Sequence, residues 1–151
     1  MKEPATRVAD IMTRTVRSIG TSAKLDDARA LMRETGIHHL VVMKAGHVAG
    51  VLSSRDCERA RASHLMARDD VWSIEDVMTA RVVVVSPETT IHEAASKLRG
   101  YSIGCLPVVD GKDLVGIVTI SDLLDLLAEK QPRGSLKRAE PEEEPPLRIR
   151  S

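Results

Sequence analysis

One stretch of this chain occurs twice. Gly50-Val51-Leu52-Ser53-Ser54-Arg55-Asp56 is answered by Gly116-Ile117-Val118-Thr119-Ile120-Ser121-Asp122, and the offset of 66 residues holds without a gap from Asp10/Asp76 to Asp56/Asp122. The identical pairs are Asp10/Asp76, Met12/Met78, Thr13/Thr79, Val16/Val82, Ala28/Ala94, Arg33/Arg99, Ile37/Ile103, Leu40/Leu106, Val42/Val108, Gly50/Gly116 and Asp56/Asp122. Those are 11 identities over 47 aligned positions, where unrelated sequences of ordinary composition would share about three. Most other pairs keep apolar character, Leu25/Ile91 and Val51/Ile117 among them. A duplicated half-domain packs against its own copy, because neither copy alone can bury its apolar face. The expected product has a pseudo-twofold axis and two related clefts.

Each copy reads as strand, helix, strand, strand, helix. Val82-Val83-Val84-Val85 is a β-branched run, and residues 16–19 are its weaker counterpart. Leu25, Ala28, Leu31 and Met32 recur at helical spacing, with Gly36 as the expected stop. In the second copy Thr90 stands three residues before Glu93, a capping-box spacing. Two strands follow in each copy, the first pair joined through Lys44-Ala45-Gly46-His47 and the second through Asp110-Gly111, a hairpin signal. The last helices open at Ser53/Ser54 and at Thr119/Ser121, and Leu123, Leu124, Leu126 and Leu127 give the second a broad apolar face. These boundaries divide the chain into a first repeat at 1–60, a linker at 61–73 with an exposed turn at Arg68-Asp69-Asp70, a second repeat at 74–130 and a tail at 131–151. The tail holds Pro132, Pro141, Pro145 and Pro146 with Glu140, Glu142, Glu143 and Glu144, and is expected to be disordered.

Composition removes several function classes. Phe is absent and Trp72 and Tyr101 are the only aromatic residues, so no stacking platform for single-stranded nucleic acid exists. The 22 acidic and 22 basic residues cancel, which leaves no global field to collect polyanions. Neither nucleic acid nor a membrane is expected as a partner. Cys57 and Cys105 form no CxxC pair and no disulfide framework, and read as reduced thiols. No apolar run approaches the ~20 residues that span a bilayer, and no signal stretch follows the first residues. The expectation is a soluble cytoplasmic protein.

The chemistry sits in the repeated motif. A hydroxyl residue, Ser53 or Thr119, lies where a strand hands over to a helix, so it and the first free backbone N–H groups can meet phosphate oxygens. Asp56 or Asp122 then falls in the first helical turn, where a carboxylate can accept from two neighbouring ribose hydroxyls. The competing reading makes Ser53 and Thr119 helix N-caps and the aspartates favourable charges on the helix dipole.

The order Asp-x-Met-Thr, helix, Gly36-Ile37-His38-His39-Leu40-Val41-Val42, Gly-x-x-Ser-x-x-Asp resembles the cystathionine β-synthase (CBS) domain. Asp10-Ile11-Met12-Thr13 and Asp76-Val77-Met78-Thr79 are similar to its opening, and Ser102-Ile103-Gly104-Cys105-Leu106-Pro107-Val108-Val109-Asp110 to its second strand. The resemblance covers residues 8–128. It implies a mixed α/β (α+β) fold of two tandem βαββα repeats, packed as the pseudo-twofold unit called a Bateman module, and a disc-like homodimer of such units. It implies binding of adenosine-containing ligands: AMP, ADP, ATP, S-adenosylmethionine or NADH. Asp56 and Asp122 would bind ribose. Ser53, Ser54, Thr119 and Ser121 would face phosphate, with His38, His39 and Arg55 as basic company. Val16, Val82, Ile37, Ile103 and Pro107 would surround adenine. The chain departs from the family pattern at Val41, where the family favours proline, and at Gly104-Cys105, which replace His38-His39. The two clefts are therefore expected to be chemically unequal.

No metal site is expected, since adjacent His38 and His39 on a strand point to opposite faces. Ile103 and Leu106 beside Cys105 favour an inert buried thiol. No nucleophile–base constellation is visible, so no catalytic residue and no cofactor are assigned and an enzyme is not expected. The expected function is a stand-alone sensor that binds an adenosine ligand and signals in trans to an unknown protein partner. The alternative is a ligand-free structural or protein-interaction module.

Overall fold

The computed structural model describes residues 6–63, 72–80 and 82–129. In chain order the elements are α1 (Val8–Ile11), β1 (Ser18–Gly20), α2 (Leu25–Thr35), β2 (His39–Lys44), β3 (His47–Ser53), α3 (Ser54–Ser63), α4 (Ile74–Val77), α5 (Ile91–Gly100), β4 (Cys105–Asp110), β5 (Asp113–Thr119) and α6 (Ile120–Glu129). This is the mixed α/β pair of repeats that the sequence suggested. The expected turn at residues 68–70 and the tail at 131–151 lie outside the described residues.

Each repeat is built on an antiparallel hairpin, β2–β3 or β4–β5. The first turns through Ala45 (φ 49) and Gly46 (φ 78), and the second through Gly111 (φ 62) and Lys112. Left-handed φ values at such two-residue turns match the twist of the flanking strands. Both ladders slip register at the same place, between Val42 and Met43 and between Val108 and Val109. The bulge is thus part of the repeated design. Gly36 ends α2 in the left-handed conformation at φ 69, and the Thr90 hydroxyl caps α5 by accepting from the Glu93 N–H at 3.2 Å.

The two opening strands differ from expectation. β1 pairs parallel with β2 over Ser18–Gly20, later than residues 16–19. Its counterpart at residues 82–85 does not form a strand; only Val85 bridges to Val108. The cause is Pro107. In the first repeat the Val41 N–H donates to the Arg17 carbonyl at 3.2 Å. The residue equivalent to Val41 is Pro107, which has no N–H to offer Val83. The ladder shrinks to Val85, which donates to the Pro107 carbonyl at 3.0 Å and accepts from the Val109 N–H at 2.8 Å. β-Branched residues make a strand only where a partner receives them, and Val82 and Val84 stay 39% and 38% exposed.

The opening segments cross over. Thr13 bridges Ile117 of β5, and Thr79 bridges Val51 of β3, each through two backbone bonds of 2.9–3.1 Å. Val8 donates to the Thr89 carbonyl at 2.8 Å, and Ile74 to the Ala23 carbonyl at 3.2 Å. α1 therefore docks at the start of α5 and α4 at the start of α2. The cores follow the same exchange. Val8 and Met12 pack with Val85, Ala94, Leu98, Leu106, Val108 and Val118, whereas Ile74 and Met78 pack with Ala28, Met32, Leu40, Val42 and Leu52. A third cluster, Val41, Cys105 and Ile117 with Val16, Val51 and Leu114, fills the space between the sheets.

This crossing explains the motif glycines. A Cβ on Gly50 would lie 2.5 Å from the Thr79 carbonyl oxygen, and a Cβ on Gly116 would lie 2.6 Å from Sδ of Met12. The glycine of one motif is the floor on which the Met-Thr of the other repeat rests.

Candidate functional site

At the end of β3 the Ser53 N–H donates to Oδ2 of Asp56 (2.9 Å), and the Asp56 N–H donates to the Ser53 hydroxyl (3.1 Å). At the end of β5 the Thr119 N–H donates to Oδ2 of Asp122 (2.8 Å), and the Asp122 N–H donates to the Thr119 hydroxyl (3.2 Å). Both Ser/Thr-x-x-Asp motifs are reciprocal caps that start α3 and α6. The capping reading of these residues is therefore physically present. It leaves chemistry over. Oδ1 of each aspartate remains as an acceptor, and each hydroxyl still has a proton to donate. Asp10 and Asp76 of the opening segments serve similarly, with Oδ2 accepting from the Arg7 N–H (2.8 Å) and the Ser73 N–H (3.2 Å).

The two motifs open onto one continuous cleft of about 740 Å³, walled by both repeats. Separate clefts were expected; the joining follows from the crossing, since Thr13 and Thr79 lie in the wall beside the β5 and β3 residues they bridge. Of the residues expected at the site, Asp56, Ser53, Ser54, Thr119, Ser121, His38, His39, Arg55, Ile37 and Ile103 line this cleft. Four stand elsewhere. Val16 packs in the inter-sheet cluster, Pro107 is fully buried, and Val82 lines a groove of about 420 Å³ between the hairpin turns. Asp122 is half-buried in its cap and outside the lining of the cleft.

The lining also includes residues that sequence reasoning missed. Thr13 and Thr79 belonged to the repeated opening motif, and their identity across copies was a usable signal. Arg17, Arg59 and Val83 carried none; they resemble ordinary surface charges and a strand valine.

The electrostatics are lopsided. Arg17, Arg55, Arg59 and His38 all come from the first repeat. The equivalent second-repeat positions are Val83, Ser121, Asp125 and Gly104. His38 is exposed at the mouth, while His39 turns inward against Gly104, where an added Cβ would lie 2.6 Å from its Nε2. Burial, followed by the charge of His38, lowers the His39 pKa below the ordinary 6.5, although Asp56 opposes the shift. His39 is therefore a neutral imidazole at pH 7. Cys105, at its back, is pushed up to about 12 by burial and then by Asp56, so it is a thiol and not a nucleophile. Among the described residues, no three His, Cys, Asp or Glu side chains come together as a metal site, and no helix is long and apolar enough to cross a membrane.

Two crossed βαββα-like repeats with capped motifs facing a shared cleft define a CBS domain pair. The CBS domain family model matches residues 8–63 and again 74–129, and the chain belongs to that family. It is 36% identical over 124 residues to a homoserine O-acetyltransferase of Methanococcoides burtonii, a match covering 81% of this chain and 24% of the relative. It is 29% identical over 116 residues to the CBS domain-containing protein YhcV of Bacillus subtilis, covering 77% and 81%. This chain thus spans about a quarter of the length of the first relative and most of the second. Among solved structures it is similar to the CBS domain pair of protein MJ0100 in complex with 5′-methylthioadenosine and S-adenosyl-L-methionine, with a TM-score of 0.76, 28% identity, and coverage of 85% of this chain and 100% of that one.

Proposed function

We propose that this CBS domain pair is a regulatory module that binds an adenosine-containing ligand in the cleft between its repeats and passes the occupancy to a partner protein in trans. The observation that carries this reading is the convergence of Ser53, Asp56 and Thr119 on one cleft walled by both repeats. A similar pair holding two adenosine compounds supports it. Oδ1 of Asp56 accepts from the ribose hydroxyls while Oδ2 holds the helix cap. Ile37 and Ile103 offer apolar contact to adenine, and Ser53, Ser54 and Thr119 meet the polar tail. No residue is assigned a catalytic role.

Because Thr13 and Thr79 are both wall residues and cross-repeat bridges, a ligand in the cleft bears on the seam between the repeats. It shifts their arrangement to the extent that it binds one arrangement better. Homodimerisation fits the same reading. Ile120, Leu124 and Leu127 recur on one face of α6 and are 48%, 59% and 64% exposed, an apolar stripe suited to a second copy. Buried, unpaired Cys57 and Cys105 fit a reducing cytoplasm.

One observation favours a ligand-free interaction module: the reciprocal caps account for both Ser/Thr-x-x-Asp motifs without any ligand. Thermal-shift titration against AMP, ADP, ATP, S-adenosylmethionine, 5′-methylthioadenosine and NADH separates the readings. A concentration-dependent rise in melting temperature with at least one compound is expected. No rise with any of them at millimolar concentration would leave the interaction module as the surviving account.

A further inference from the structure

We propose that His39 is a pH-sensitive latch between the repeats: as a neutral imidazole it lies on Gly104 and holds the starts of β2 and β4 together across the cleft, and as an imidazolium it leaves Gly104 and releases them. Both residues line the cleft. His39 opens β2 of the first repeat, and Gly104 immediately precedes β4 of the second. A Cβ on Gly104 would lie 2.6, 3.2 and 3.7 Å from Nε2, Cε1 and Cδ2 of His39. The ring therefore lies over the glycine and fills room that only a missing side chain leaves. The contact occurs once. At the 66-residue offset His39 is answered by Cys105, buried between the sheets, and Gly104 by His38, exposed at the mouth.

The contact reaches both motifs. The His38 carbonyl accepts from the Ser54 N–H at 2.9 Å, and the Gly104 carbonyl accepts from the Ile120 N–H at 3.2 Å. Each bond ties the start of a strand to the first residue of α3 or α6. His39 on Gly104 thus links the two helix starts that carry the Ser/Thr-x-x-Asp caps.

The surroundings set which protonation state the contact tolerates. The charged or titratable side chains that line the cleft with His39 are Arg17, His38, Arg55, Asp56 and Arg59, all from the first repeat. Among the described residues, the second repeat's wall brings one titratable group, the Cys105 thiol, which stays protonated with its pKa pushed up to about 12. An imidazolium pressed on Gly104 would lose water and meet no anion across the seam. His38 and Arg55 oppose its charge, and Asp56 alone favours it. Oδ2 of Asp56 holds the Ser53 N–H, and Oδ1 remains as an acceptor. Protonation therefore draws the ring towards Asp56 of its own repeat and off Gly104. Burial, followed by His38, keeps the folded-state pKa of His39 below 6.5. The contact is therefore complete above that value and is lost as pH falls through the folded-state pKa.

NMR of the full, ligand-free chain, following the His39 ring and the Gly104 and Ile120 backbone N–H signals from about pH 8 to about pH 5, tests this. In the wild type both amides should titrate with the same midpoint as the His39 ring, below the ordinary 6.5. In His39→Gln, whose side chain stays uncharged, that titration should be lost although His38 still titrates. Gly104→Ala should expel the ring at every pH. The His39 midpoint then moves up towards 6.5, and the Ile120 amide at high pH takes the position that the wild type reaches only at low pH. Amides that do not titrate, amides that titrate equally in His39→Gln, or a His39 midpoint unmoved by Gly104→Ala would overturn the latch. If Gly104→Ala does not fold, the His39→Gln comparison decides alone. Without ligand in the sample, each outcome is independent of the adenosine reading.

Discussion

The two repeats share a backbone plan and differ in the charge they bring to the cleft. Most of the identical pairs have structural work to do. Ala28/Ala94, Leu40/Leu106 and Val42/Val108 are fully buried. Asp10/Asp76 and Asp56/Asp122 close helix caps. Met12/Met78 and Thr13/Thr79 cross onto Gly116/Gly50. The unmatched pairs Arg17/Val83, Arg55/Ser121, His38/Gly104 and His39/Cys105 line the cleft almost throughout. Sameness between the copies maintains the fold and supplies Thr13, Thr79, Ile37, Ile103 and Asp56 to the cleft, whereas the positive charge of the cleft comes from the positions that differ. A residue repeated at the 66-residue offset is evidence about folding first.

The comparison is broken most forcefully in the cores. Leu40→Ala and Leu106→Ala each delete a fully buried side chain and should each cost about 3 kcal/mol by urea denaturation. Losses that differ by more than about 1.5 kcal/mol would mean that the two cores are not equivalent.

The glycines sharpen it next. Gly50→Ala drives a methyl against the Thr79 carbonyl at 2.5 Å, whereas Gly116→Ala meets first the movable thioether of Met12 at 2.6 Å. The first should cost about 3 kcal/mol and the second about 1 kcal/mol. The reverse order in denaturation midpoints would contradict the crossing geometry.

A smaller effect tests the caps. Asp56→Ala and Asp122→Ala each remove one carboxylate acceptor from a helix start, and both should lose about 1 kcal/mol. If Asp122→Ala alone were neutral, the second cap would not hold α6.

The smallest effect concerns His39. Its folded-state pKa is lowered, chiefly by burial, so the unfolded chain takes up its proton first as pH falls. Stability should therefore be full above the ordinary 6.5 and decline as pH drops from there through the folded-state value. Urea midpoints at pH 8 and pH 5.5 should show less decline in His39→Gln than in the wild type; an equal decline would assign the slope to other groups.

Much of this fold was legible. Helical spacing gave α2 with its Gly36 stop, the Asp110-Gly111 turn signal gave the second hairpin, and the repeat gave the pairing of the halves. The strand expected at residues 82–85 failed because Pro107, distant in sequence, removes a donor that Val41 supplies in the first repeat. Crossing of the opening segments was written only indirectly, in the identity of Met12/Met78 and Gly50/Gly116, whose contact no local pattern announces. Ten of the expected site residues line the cleft because the motif fixes where strands end and helices begin. Arg17 and Arg59 escaped notice, since an arginine before a strand or within a helix looks the same whether it faces solvent or a cleft.

The central claim is that the proposed ligand of the shared cleft is held by Asp56, which lines it, and not by Asp122, which does not. Side-by-side calorimetric titration of Asp56→Asn and Asp122→Asn, with whichever of the adenosine compounds above raises the wild-type melting temperature most, tests it most directly. The account predicts that Asp56→Asn abolishes measurable binding while Asp122→Asn binds as the wild type does. Equal loss in both variants, or loss in Asp122→Asn alone, would contradict it.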